Sequence, residues 1–255
     1  MIDDFVPIVH RLEGRPVKLW AVGDVHIGSK ECDIESFRAF LRKVESDPDS
    51  YILVVGDILD NCTKDSVGDI YDAAIASPMD AIDFTAELFA PVADRILGAV
   101  GGNHEFRSAK STGLDPLYDV FVMLRIQEVY RQNFAFLRII LERGGTHDHY
   151  AIYLTHGRTA NKQRRFAQSA IEGVDAIVAA HTHDGAVNKN SRMVFSNRNV
   201  VTMRPFVSLT AASWLNYGGY ASRAQCIPTA SCDPQALLLD FTGTNGKDGR
   251  ISVVW

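Results

Sequence analysis

The feature that most constrains the fold of this chain is a series of short apolar runs, none longer than eight residues, separated by turn residues. VKLWAV (17–22), YILVV (51–55), RILGAV (95–100), FAFLRIIL (134–141), YAIYLT (150–155) and AIVAA (176–180) are each too short for a buried helix. Several are bounded by Gly, Asn or Asp, which predicts strands. Amphipathic segments lie between them. DIESFRAFLRKVES (33–46) sets Ile34, Phe37, Leu41 and Val44 at helical spacing behind a capping Asp33. Ser77-Pro78 opens a second helix, MDAIDFTAELFA, that Pro91 closes. A third helix is expected near 116–130 and a fourth near 161–172. After residue 190 the helical pattern stops, and runs at 199–203, 206–212, 235–241 and 250–255 read as strands. Strand–helix alternation followed by a strand-rich half predicts an α/β fold, a two-sheet β-sandwich flanked by helices. There is no repeat, low-complexity tract or linker, so residues 1–255 are expected to form a single domain.

Composition narrows the function classes. With 46% hydrophobic and 22% charged residues the chain has the make-up of a soluble globular protein. A net charge of −5 rules out a global basic field for nucleic acid, but the charge is uneven. Residues 60–94 hold eight acids against Lys64, and residues 156–204 hold eight bases against Glu172, Asp175 and Asp184, so a local positive face is expected. Cys32, Cys62, Cys226 and Cys232 show no CxxC spacing and read as free thiols, with a Cys226–Cys232 bridge as the alternative. The N-terminal segment, with two early acids and no sustained apolar core, does not read as a signal peptide, and no run approaches the roughly 18 residues that span a bilayer. A cytoplasmic protein with no membrane partner is expected.

The chemistry gathers at the strand ends. VKLWAV runs into Gly23-Asp24-Val25-His26, and YILVV into Gly56-Asp57-Ile58-Leu59-Asp60. RILGAV runs into Gly101-Gly102-Asn103-His104-Glu105, YAIYLT into His156-Gly157, and AIVAA into His181-Thr182-His183. In α/β sheets, ligands bind beyond the carboxyl ends of strands, where glycines allow tight turns and close backbone approach. Two Asp, one Asn and four His form a nitrogen–oxygen donor set without thiolate, which suits Mn, Fe, Zn, Ni or Co. Seven donors exceed what one tetrahedral ion needs. They predict two divalent ions sharing a carboxylate, roughly 3.5–4 Å apart, the clamp used for in-line displacement at phosphorus.

GDVH, GDILD, GGNHE, THG and AHTH, in this order over about residues 20–185, resemble the five motifs of the calcineurin-like metallophosphoesterase superfamily. The compact spacing is similar to that of its small bacterial and phage-type members. The resemblance implies a two-sheet sandwich with outer helices. It further implies that Asp24, His26 and His183 hold one metal, that Asn103, His156 and His181 hold the other, and that Asp57 bridges both. Manganese is the ion first expected. His104 is then no ligand but faces the substrate and protonates the leaving oxygen, oriented by Asp60, whose contact would fix the tautomer and raise the pKa. The implied reaction is in-line attack on a phosphoester by a hydroxide bridging the two ions.

Departures from the superfamily are informative. Its protein Ser/Thr phosphatases usually carry arginines where this chain has Asn61 and a glycine of the Gly101–Gly102 pair, so a protein-phosphatase substrate is not expected. Only 25 residues separate His156 from His181, too few for a large cap. Substrate contacts are expected from Arg107 and Lys110, from the run Arg158–Arg165, or from ASWLNYGGY (212–220). The basic 156–204 segment favours a phosphodiester, a nucleic acid or nucleotide, over a monoester. The competing reading is a scaffold or interaction protein that keeps the fold and has lost catalysis; such relatives usually lack a ligand, whereas all seven positions and His104 are filled here. Taken singly, Asp60 could be a helix cap. Glu105 reads as a structural partner, THDHY (146–150) as a solvated turn, and Trp214 as a core or loop anchor more readily than a stacking platform.

Overall fold

The alternating apolar runs become two stacked sheets. The computed structural model describes residues 3–63, 73–75, 77–157, 171–195, 199–219, 222, 233–244 and 250–255. In chain order its strands begin with β1 (Ile8–Glu13), β2 (Val17–Val22), β3 (Ser50–Val55), β4 (Ile96–Val100), β5 (Tyr130–Arg131) and β6 (Phe134–Arg143). They continue with β7 (Thr146–Thr155), β8 (Ala176–Ala179), β9 (Ala186–Phe195), β10 (Val201–Thr210), β11 (Ala236–Leu239) and β12 (Ile251–Val254). One sheet has the order β12-β11-β2-β3-β4-β5 and the other β1-β6-β7-β8-β10-β9. The two pack closely: a Cβ on Gly98 of β4 would stand 2.7 Å from a methyl of Leu137 on β6. The core of the molecule includes Leu19, Val22, Leu53, Val55, Ala99, Leu137, Ile152, Leu154 and Val178, all buried. Burying these side chains is the main favourable term in such a fold.

Helices flank the first sheet. Helix α1 (Ile34–Ser46) starts where Asp33 accepts the Ser36 N–H at 3.1 Å and buries Phe37, Phe40, Leu41 and Val44. Helix α2 (Pro78–Phe89) starts at Ser77, which accepts from Asp80 N–H, and a 3₁₀ turn containing Pro91 follows it. Two more helices, α3 (Asn103–Thr112) and α4 (Pro116–Met123), follow β4. None of the helices in the described residues is long and apolar enough to cross a membrane.

Several expectations need correction. The helix expected near 116–130 stops at Met123, because residues 127–129 form a 3₁₀ turn and Tyr130–Arg131 pair with β4. GGNHE opens α3, and Glu105, expected as a structural partner, is buried in its first turn. The runs at 199–203 and 206–212 are one strand, β10, which passes through Pro205. THDHY is no solvated turn: it is the first half of β7, and its Asp148 is buried, accepting N–H groups from Thr242, Gly243 and Thr244. Strands β1 and β9 carry too many polar residues to show an apolar run; pairing with a neighbouring strand makes them strands. The helix expected near 161–172 falls almost wholly outside the described residues, as do the Arg158–Arg165 run and Cys226 and Cys232. Cys32 and Cys62 are free thiols.

Candidate metal centre

Parallel strands β2, β3 and β4 end side by side, and β7 and β8, parallel in the opposite sheet, end facing them. All five motifs are therefore delivered to one edge of the sandwich. Close approach sets the composition of the loops. Gly56 has φ +82°, and a Cβ there would lie 2.6 Å from the Gly102 nitrogen; a Cβ on Gly102 would collide with the Asp57 carboxylate. Only glycine fits at either position.

The residues expected to bind metal meet in two groups. Asp24, His26 and His183 offer ligand atoms within 4.8 Å of one another, and so do Asp57, His156 and His181. Asn103 joins the second group: its Oδ1 lies 2.8 Å from His181 Nδ1 and 3.0 Å from His156 Nε2. Asp57 Oδ2 is 3.1 Å from His156 Nε2, and the carboxylate's charge bears on His26 and His183 as well. The groups thus flank a single carboxylate.

The backbone holds this arrangement under strain. Asp24, His26, Asp57, His181 and His183 have φ of 50°, 55°, 52°, 79° and 61°. Each residue in this left-handed region costs on the order of 1 kcal/mol or more, and such outliers concentrate at functional sites. Two supports, of which only the first was expected, hold these loops in place. Buried Glu105 accepts N–H groups from Asp57 (3.0 Å), Ile58 (2.8 Å), Leu59 (3.0 Å) and Gly102 (2.8 Å), tying α3 to the loop after β3. The segment after β10 clamps the first motif: Trp214 N–H and the Ser213 hydroxyl both donate to the Asp24 carbonyl, and Ser213 N–H to that of His183. Trp214 itself packs against Phe37 and Phe40, so it anchors the loop in the core. The Glu105 support had a local signal in its capping-box position, but the Ser213–Trp214 clamp is a main-chain contact across 190 residues and had none.

The donor atoms fit divalent cations. His156 Nδ1–H donates to the Val55 carbonyl at 2.7 Å, leaving the Nε2 lone pair facing oxygens of Asn103 and Asp57. His181 Nδ1 stands 3.3 Å from that same Nε2, and His26 Nε2 is 3.4 Å from His183 Nε2. Lone pairs converging at such distances call for positive charge between them. Asp24 Oδ1 is fully buried without a hydrogen-bond partner, an arrangement that is costly unless an ion is its partner. Protonation shifts show the same demand. Burial, reinforced by Asp57, pushes the Asp24 carboxyl up to about 7. Burial opposes charge on His156, yet the hydrogen bond and charge of Asp57 outweigh it and push the ring up to about 9. Burial and the neighbouring His26 push His183 down to about 4. A proton on His156 occupies the place that a cation would take.

His104 stands beside this centre, with Nε2 3.9 Å from Asp57 Oδ2. Its Nδ1–H donates to the Asp60 main-chain carbonyl at 2.7 Å, while the Asp60 carboxylate lies 3.3 Å from that nitrogen and 3.6 Å from His26 Nδ1. Arg107 donates from one guanidinium nitrogen to His104 Nε2 at 2.9 Å and from another to the Asp60 carbonyl at 3.2 Å. In this arrangement the ring is the neutral Nδ1–H form. Burial works against protonation, but Asp60 and Asp57 outweigh it and raise the pKa, while the Arg107 charge lowers it. Asn61 secures α3 by donating to the His104 carbonyl and accepting from Ser108. Lys110 is exposed farther along α3, and Arg158 lies outside the described residues.

Among solved structures, the chain is similar to Vps29 from Entamoeba histolytica complexed with Zn²⁺, at 13% identity and TM-score 0.39, covering 93% of this chain and 98% of that one. It is similar to a metallophosphoesterase from Sphaerobacter thermophilus at 12% identity and TM-score 0.41, covering 94% and 89%. It is also similar to the calcineurin-like phosphoesterase YfkN from Bacillus subtilis at 13% identity and TM-score 0.42, covering 94% and 90%. No curated protein sequence matches the chain. The sequence model of one family, calcineurin-like phosphoesterase, matches residues 17–185. That span is more than half of the chain and contains all five strand-end motifs, so this protein belongs to the calcineurin-like phosphoesterase family.

Proposed function

We propose that this protein is a cytoplasmic, single-domain phosphoesterase that works with two divalent transition-metal ions, manganese first among them, on a phosphodiester such as a nucleic acid or nucleotide. Asp24, His26 and His183 would hold one ion, and Asn103, His156 and His181 the other, with Asp57 between them. The observation that carries this reading is the gathering of six donor residues in two neighbouring groups, with Asn103 Oδ1 against His156 and His181 and Asp24 Oδ1 buried and unpartnered. When bound, the ions would supply acidity to the attacking water and positive charge against the phosphoryl oxygens.

The chain's own groups do the rest. Glu105 fixes the Asp57 loop through four N–H bonds, so the shared carboxylate needs no reorganisation when charge develops. His104 holds its proton account at two atoms: Nδ1–H stays on the Asp60 carbonyl, and Nε2 faces the reaction space. With Arg107 seated on Nε2 the ring accepts a hydrogen bond and can give no proton. A bound phosphate oxygen draws the guanidinium away, since Arg pairs with phosphate in a bidentate fork. Asp60 and Asp57 then favour uptake of a proton from solvent at Nε2, which the ring gives to the departing alkoxide, returning to the neutral Nδ1–H form. Arg107 is thus both phosphate contact and keeper of His104. The basic 156–204 segment supports a diester substrate, with Arg158 as a second phosphate contact.

The test is turnover by manganese-loaded protein on bis-p-nitrophenyl phosphate, p-nitrophenyl phosphate, cyclic nucleotides and single-stranded DNA. Diester hydrolysis exceeding monoester hydrolysis is the expected result. Full metal occupancy with no turnover of any substrate would replace this reading with a metal-binding scaffold.

A further inference from the structure

His26 differs from His156 and His104 in what holds its second ring nitrogen. Its Nε2 stands 3.4 Å from His183 Nε2, on the side of the donors that it shares with Asp24 and His183. Its Nδ1 faces the other way, with the Asp60 carboxylate 3.6 Å from it. The His26 side chain is only 4% exposed, so bulk water hardly reaches that nitrogen. His156 rests its Nδ1–H on the Val55 carbonyl, and His104 rests its own on the Asp60 carbonyl. Among the described residues His26 has no such carbonyl, and the acceptor facing its Nδ1 is the Asp60 carboxylate.

The main chain fixes that meeting. Val25 and His26 N–H both donate to the Asp57 carbonyl, at 2.9 and 3.0 Å, and Ile27 N–H donates to that of Ile58 at 2.8 Å. Asp60 N–H returns a bond to the Ile27 carbonyl at 2.9 Å, and Ile27 pairs with Leu59 as a parallel bridge. The loops after β2 and β3 are thus zipped together, and Asp60 is carried to the side of the His26 ring. Its carboxylate is not needed to orient His104, whose Nδ1–H the Asp60 carbonyl already accepts at 2.7 Å, closer than the carboxylate at 3.3 Å. That same bond occupies His104 Nδ1, so the close group of His26, Asp60 and His104 does not offer three lone pairs to a further ion.

We infer that Asp60 is a positioning residue for the metal ligand His26: its carboxylate holds His26 at Nδ1 and so presents Nε2 to the ion of the Asp24, His26 and His183 half, while its main-chain carbonyl holds His104. The inference rests on the two-ion reading of the centre and adds to it the support of one ligand. A carboxylate behind a ligating imidazole fixes the tautomer with its lone pair towards the metal and raises the ligand's basicity. His156 has a neutral carbonyl in the corresponding place, so its half gains nothing from Asp60. One residue also keeps ligand and acid in register, since the His26 and His104 rings meet edge to face with centres 4.4 Å apart.

The experiment is calorimetric titration of the metal-free full chain with Mn²⁺ alone, with free Mn²⁺ followed by electron paramagnetic resonance. Wild-type protein should take up two ions. Asp60→Asn keeps the size of the side chain and the main-chain carbonyl, and should bind one ion roughly 10–100-fold more weakly and the other unchanged. His104→Ala should bind both as wild type does, because the carboxylate acts through His26. In a His183→Ala background, whose first half has already lost a ligand, adding Asp60→Asn should leave the remaining ion untouched. A loosening of the loops would weaken both ions together, and that result would overturn the inference. So would wild-type affinities in Asp60→Asn, a further loss in the double variant, or a His104→Ala protein that reproduces the effect of Asp60→Asn. Wild-type protein that takes up no Mn²⁺ would overturn the two-ion reading itself, and the inference with it.

Discussion

The two halves of the candidate metal centre use similar donors but are prepared differently. In the half built on Asn103, His156 and His181 every donor has a close partner: His156 is oriented by the Val55 carbonyl and faces the Asp57 carboxylate, and Asn103 Oδ1 touches both imidazoles. Only His181 among its three residues has a left-handed φ. In the half built on Asp24, His26 and His183, all three residues do. There Asp24 Oδ1 has no partner, and the His183 side chain is 37% exposed. One half has its donors partnered, with a proton favoured on His156, whereas the other carries a buried, unpartnered carboxylate oxygen and three left-handed residues. Ligand identity alone does not set a site's affinity; what holds each ligand in the empty state matters as much.

The largest effect should come from removing what the halves share. Asp57→Asn should lower turnover by roughly 10³-fold or more and release at least one ion, because a neutral amide cannot serve two cations. Elemental analysis and turnover decide it; full retention of two ions would end the bridging assignment.

Next comes the group that belongs to neither half. His104→Ala should reduce turnover by roughly 10²–10⁴-fold while both ions stay, with a smaller loss for p-nitrophenolate leaving groups. Asp60→Asn should cost about tenfold, since the main-chain carbonyl that orients His104 survives the change. Metal loss in His104→Ala, or full activity on a poor leaving group, would make His104 a ligand or a bystander.

The comparison itself is sharpened by ligand deletions. His183→Ala should release one ion and keep the other. His156→Ala should disturb both, because His156 also holds Asp57 at 3.1 Å. Each loss should exceed the roughly 10–100-fold change in affinity caused by losing a ligand's supporting partner. Identical manganese titrations of the two variants would erase the distinction between the halves.

The smallest effect is a pH slope. The folded pKa of Asp24, about 7, lies above its unfolded value near 3.8, so the metal-free fold binds the extra proton. Its contribution to stability is therefore complete below about 4, falls as pH rises towards 7, and levels off above that. The slope is at most about 1.4 kcal/mol per pH unit. Thermal melts of metal-free protein from pH 4 to 8 should show this fall, and Asp24→Asn should flatten it. An unchanged slope in that variant would place the strain elsewhere.

Much of this was legible beforehand because it is local. Asp33, Ser77-Pro78 and the runs at 17–22, 51–55 and 95–100 announce their elements, since capping and short apolar periodicity act over a few residues. The polar strands β1 and β9 escaped notice because pairing made them strands, and THDHY was misread because its buried Asp148 is satisfied by residues 242–244, far along the chain.

The sequence by itself determined which donors stand at which strand ends, and so the family and the kind of chemistry, because a side chain's donor atoms and its place after a strand are properties of the local segment. Only the tertiary structure decided that Asp24 Oδ1 would be buried without a partner, that Arg107 would sit on His104 Nε2, and that the Asp60 carboxylate would face His26 Nδ1. Each of these depends on what other parts of the chain bring within a few ångströms, and no local pattern encodes that distance.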